Sequence, residues 1–186
     1  ADVTEGHPLA IALLAGEYDE SPDAPEDFLA AWAEALAAAE DYGRAAHHRT
    51  FTVAFDRSYR RLPPAQQARL RALSRFPFPF FAQGAALMWG MGTSEEEDVD
   101  AARRHLHDLT RRSLLEVEAT FEDQTPATYR AQPALRQALA RRVGEEERAE
   151  MEAGYAAYAY RFAEMAFSQI GQQPGVARLA RIMADE

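Results

Sequence analysis

Apolar residues recur every three to four positions along most of this chain, and proline and glycine punctuate the runs, a pattern that predicts helices. Residues 7–16 read as a short apolar helix, with Pro8 suited to its first turn and Gly16 to its C-terminal cap. Ser21-Pro22-Asp23-Ala24-Pro25 is a turn-rich break, and an alanine-rich helix follows over residues 27–39. Residues 42–49 read as a linker. From residue 50 to residue 61, Phe51, Phe55, Tyr59 and Leu62 form one apolar stripe. Pro63-Pro64 ends that helix and starts another, which turns Leu70, Leu73 and Phe76 inward. Phe76-Pro77-Phe78-Pro79-Phe80-Phe81 is incompatible with regular helix at its start. Its aromatics are expected to plug the core of their own domain, because so dense an apolar patch is rarely left exposed. A short helix follows to residue 89.

Residues 90–94 read as a joint. Ser94 and Glu97 fit a capping box, and the acidic run Glu95-Glu96-Glu97-Asp98 suits the positive end of a helix reaching residue 112. Val99, Ala102, Leu106 and Leu109 share a face of that helix. The period then changes to two: residues 113–119 and 127–131 predict strands around a loop over 120–126. Pro133 opens a helix carrying Leu135, Leu139 and Val143. After Gly144, a long helix over 145–169 turns Met151, Tyr155, Tyr158, Phe162 and Met165 to its buried side. Gly171 and Pro174 break it, and a last helix begins near Gly175.

Helices, then a ribbon, then a helix is the order of a winged-helix unit. The expected fold is mostly α: a helical subdomain over 1–45, a winged-helix domain over 46–143 with a short two-stranded β-ribbon, and a trailing helical pair over 144–186. The expected core includes Phe51, Phe55, Tyr59, Leu70, Leu73 and Leu106.

Composition narrows the chemistry. Hydrophobic residues make up 47% of the 186, enough for a sizeable core. All 20 basic residues are arginine, which excludes a phosphate-binding loop ending in lysine and any lysine nucleophile. Thirty acidic residues bring the formal net charge to -10, which argues against non-specific binding to nucleic acid or an anionic membrane. Cysteine is absent, so thiol catalysis and thiolate metal sites are excluded. The sequence has no spanning run of about 18 apolar residues and no basic-then-apolar leader. It opens at Ala1 and reads as a segment excised from a larger protein; a cytoplasmic setting is expected.

Neither a His-Glu-x-x-His nor a Gly-x-Ser-x-Gly motif occurs. His105 and His107, two apart on a helix, diverge, and His47 and His48 are adjacent in the linker. No catalytic residue and no metal site are therefore expected. Gly90 and Gly92 form a bare Gly-x-Gly outside any strand-to-helix turn. Arg103, Arg104, Arg111 and Arg112 lie on the helix before the ribbon, where winged-helix DNA readers place base-contacting side chains. They carry the alternative reading, a DNA-binding transcriptional regulator, although nucleic acid is not the partner the charge favours.

Six segments in order resemble the STAND ATPases, the signalling class that contains the NB-ARC proteins. Gly6-His7-Pro8-Leu9-Ala10 resembles their G-x-P-L-A box. Ser58-Tyr59-Arg60-Arg61-Leu62 and Leu73-Ser74-Arg75-Phe76-Pro77 are similar to the segments that open their winged-helix domain. Residues 109–115 resemble the lead into the wing, residues 129–135 the sensor segment, and residues 155–164 the helix preceding the repeats of bacterial members. The resemblance implies a non-catalytic lever in a nucleotide-dependent switch, packing on an ATPase core and on C-terminal repeats. It also implies ADP or ATP in the parent protein, none held by this segment alone, and self-assembly of the parent. Pro8 would line the adenine pocket. Gln132 stands where the family carries a sensor histidine; its amide donates a hydrogen bond but brings no charge.

Overall fold

The computed structural model describes residues 7–39, 46–91, 96–118 and 127–171. Among them, eight helices and three short strands follow in order: α1 (Pro8–Tyr18), α2 (Pro25–Ala38), α3 (Ala46–Arg60), α4 (Pro64–Leu73), β1 (Phe80–Phe81), α5 (Ala82–Met88), α6 (Glu96–Arg111), β2 (Glu116–Glu118), β3 (Thr128–Arg130), α7 (Pro133–Ala140) and α8 (Glu145–Gly171). The chain is mostly helical with one small antiparallel sheet.

Proline sits in the first turn of α1, α2, α4 and α7, where its fixed φ favours the helix and its missing N–H costs nothing. Two helices end in Schellman motifs. At the end of α5, Gly90 adopts φ 67°, its N–H meets Leu87 O and that of Met91 meets Ala86 O. At the end of α6, Ser113 adopts φ 56°, its N–H meets Thr110 O and that of Leu114 meets Leu109 O. Leu109 and Leu114 are both buried, the apolar contact that accompanies this cap.

The sheet has strand order β1-β3-β2. Val117 and Phe80 flank Tyr129 from either side, and the Phe80 and Tyr129 rings stack 6.3 Å apart. The succession α4–β1–α5–α6–β2–β3 is the connectivity of a winged-helix unit. All six expected core residues are buried. They belong to one apolar cluster that runs from Leu9 in α1 to Met151 in α8.

Several expectations are corrected. The ribbon is part of a three-stranded sheet, because Phe80 and Phe81 add a strand too short to show a period. Its other strands are shorter than expected, and β2 starts only at Glu116 because Ser113 and Leu114 are used in capping α6. Gly16 does not cap α1: the helix continues to Tyr18. The glycine instead meets a neighbour, and a Cβ there would lie 2.9 Å from the carbonyl carbon of Arg112. Residues 46–49 are helix and not linker. Val143 follows α7, and Phe162 is 45% exposed rather than buried. In the Phe-Pro stretch, Phe76 and Phe80 fill the core while Phe78 stays exposed. Gly6, Ser94, the loop over 120–126, the Met165 side chain and the helix expected near Gly175 lie outside the described residues.

Candidate functional site

The residues singled out by sequence fall at three places. Pro8 is exposed on the first turn of α1. Before it, His7 caps the helix, its Nδ1 accepting from Ala10 N at 3.3 Å. The His7 ring also stacks on Phe51 of α3 at 5.7 Å, and Phe51 stacks on Phe55. Pro8 thus lies beside an aromatic column that ties the start of α1 to α3.

Gln132 follows β3 directly and is the N-cap residue of α7. Its Nε2 donates to Glu116 Oε1 on β2, and its carbonyl accepts from Arg136 N. Glu116 also pairs with Arg130, which reaches Glu118 as well. The amide at the sensor position is therefore engaged within its own ribbon. Arg136 donates to the carbonyls of Phe76 and Pro77, fixing the Phe-Pro turn against α7.

The four arginines of α6 do not act as a set. Arg103 pairs with Asp100. Arg112 bridges Glu20 at 2.6 Å and Asp108 at 3.4 Å, joining the end of α1 to the end of α6. Arg104 and Arg111 are exposed on a face that also carries Glu97, Asp100 and His107. His105 points elsewhere: Arg69 hydrogen-bonds its Nε2, and Trp89 meets its ring edge-on. Burial and the Arg69 guanidinium hold its pKa below the ordinary histidine value, with Asp108 opposing them.

Sequence reasoning missed the most deeply buried ionic group. Glu17, on the last turn of α1, is only 2% exposed through its side chain. Its Oε1 accepts from Arg57 at 2.8 Å and from Arg61 at 2.6 Å. Arg57 spans further, to the carbonyl of Ala31, with its guanidinium over the Trp32 ring at 5.7 Å. One carboxylate of α1 is thus bound by Arg57 of α3, which also reaches α2, and by Arg61 just beyond the end of α3. The sequence signal was the first of three acidic residues, Glu17, Asp19 and Glu20, after the apolar run 8–16, and nothing local gives Glu17 a partner forty residues away.

Among the described residues, no three His, Asp or Glu side chains converge as a metal site would require, and no helix is long and apolar enough to cross a membrane. The chemistry on display is hydrogen bonding and charge pairing between elements. No protein-family model matches the chain, and no curated protein matches it significantly.

Proposed function

We propose that this chain is the non-catalytic lever of a STAND-type switch, coupling the nucleotide state of an ATPase core to assembly in the cytoplasm. The observation that carries the reading is the placement of the family-like segments on the fold. The Pro8 box opens α1, and the Ser58 segment closes α3. The Leu73 segment forms the turn into β1, and residues 129–135 run from β3 into α7. These four segments fall at element boundaries, as parts of a moving unit would, while residues 155–164 lie inside α8.

In this reading Pro8, exposed on α1, faces the adenine ring that the parent binds. Gln132 gives one amide N–H to Glu116 and keeps a second for a phosphate oxygen. The lever therefore lacks the charged sensor of the family and answers more weakly to phosphate. The DNA-reading alternative draws on two exposed arginines, since Arg103 and Arg112 are already paired.

Sequencing the reading frame upstream of Ala1 tests the proposal. A glycine-rich phosphate loop with its lysine, followed by an acidic strand end, is the expected result. An unrelated domain there would overturn it.

A further inference from the structure

Two grooves run along opposite sides of α3 and meet at Thr52. One, of about 670 Å³, lies against α7 and is lined by Phe51, Phe55, Ala138, Arg141 and Arg142 among others. The second, of about 370 Å³, lies against α2, with Ala35, Val53, Arg49, Arg57 and Arg60 in its walls. Among the described residues, the single acidic one lining either groove is Asp56, and Arg142 pairs with it. Arg57 is held by Glu17. Arg49, Arg60 and Arg141 form no ion pair with another described residue. In a chain of net charge -10, five guanidiniums around one neutralised carboxylate make, among the described residues, a local reversal of sign.

We propose that these joined grooves dock an acidic amphipathic segment of a partner polypeptide. The floors are apolar and shallow, made of alanine, valine and phenylalanine edges, and would take the segment's aliphatic side chains. The rims are guanidiniums, which pair with carboxylates in planar, two-pronged geometry. Arg49 and Arg60 stand eleven residues apart on α3, about 16 Å at helical rise. That span suits a row of carboxylates along a segment of about three helical turns, not one phosphate group. Duplex nucleic acid fits less well: its phosphates have no use for an apolar floor and are repelled by the overall negative charge. The inference does not rest on the lever reading, because any partner carrying such a segment would satisfy it.

The test uses the whole chain and a fluorescein-labelled peptide of about three helical turns with glutamate and leucine at helical spacing. Fluorescence anisotropy should rise on mixing, and binding should weaken with added salt. The triple variant Arg49→Glu, Arg60→Glu, Arg141→Glu should lose about tenfold or more in affinity. A control, Arg148→Glu with Arg161→Glu, should bind as the parent chain does. These arginines lie on the surface, and an unchanged circular dichroism melt confirms that each variant folds. In nitrogen-15 spectra, the arginine Nε–H signals of Arg49, Arg60 and Arg141 should shift on titration. The proposal is overturned by an anisotropy that never rises, or by equal binding of the same peptide with glutamine for glutamate. Equal loss in the control variant, or a short DNA duplex binding as tightly as the peptide, would overturn it as well.

Discussion

Ser113 adopts a left-handed conformation that glycine tolerates better than any other residue, and it does so at the end of the helix that leads into the sheet. Ser113→Gly should therefore stabilise the protein by about 0.5–1 kcal/mol, read as a higher melting temperature. Glu17 presents the opposite case. Removing its carboxylate leaves Arg57 and Arg61, 28% and 45% exposed, without their shared partner, and Glu17→Ala should cost about 1–3 kcal/mol in chemical denaturation. A variant as stable as the parent would show that the two arginines simply swing out to solvent. His105 gives the protein a pH dependence. Its folded pKa lies below the unfolded value of about 6.5, so the unfolded chain takes up the proton first. The stability that His105 contributes is fully present above that value and is lost as pH falls through the lower, folded pKa. Melting temperature should decline from neutral to mildly acidic pH. In His105→Gln that part of the slope should disappear, while Arg69, Asp108 and Arg104 around it remain.

Elements were legible in the sequence in proportion to their length. The stripe of Phe51, Phe55 and Tyr59 is long enough to show its period, and the structure buries all three. Phe55 is 1% exposed, with Arg142 over its ring at 4.6 Å and the Tyr59 ring beside it at 5.6 Å. Phe55→Ala should cost about 3–5 kcal/mol in a thermal melt, through the cavity it leaves. Strand β1 was not legible, since two residues carry no alternation and its existence depends on pairing with Tyr129 and Thr128 far along the chain. Gly16 misled for a related reason. Its glycine is explained by the backbone of Arg112 arriving from α6, a contact invisible to local patterns. Among the candidate site residues, position was readable and engagement with distant elements was not. Sequence located Gln132 and Arg112 but not the carboxylates of Glu116 and Glu20 that occupy them.

At the scale of the molecule, α1 and α8 close the winged helix from two sides. The first is joined by Glu17 and Glu20 to α3 and α6. The second covers α5 and the Phe-Pro turn. Tyr158 meets the Phe76 ring edge-on at 5.0 Å and lies so near Gly84 that a Cβ there would come within 2.8 Å of it. A chain ending at residue 144 would uncover Phe76 and Met88 together. It should bind a hydrophobic dye such as ANS and melt at a lower temperature than the full chain; a truncated chain that keeps its melting temperature and stays dark to the dye would refute this packing.

Among the described side chains, those contacts come from the first half of α8. From Tyr158 the helix continues to Gly171, thirteen residues on, or about 20 Å of rise, and Tyr160, Phe162 and Phe167 on this stretch are exposed. A rod anchored at one end multiplies angle into distance. Tilting the sheet and its helices by about ten degrees would carry the far end of α8 through about 3–4 Å, close to the rise of two or three helical residues. An element joined to that end would travel several ångströms under a rotation of that size at its root.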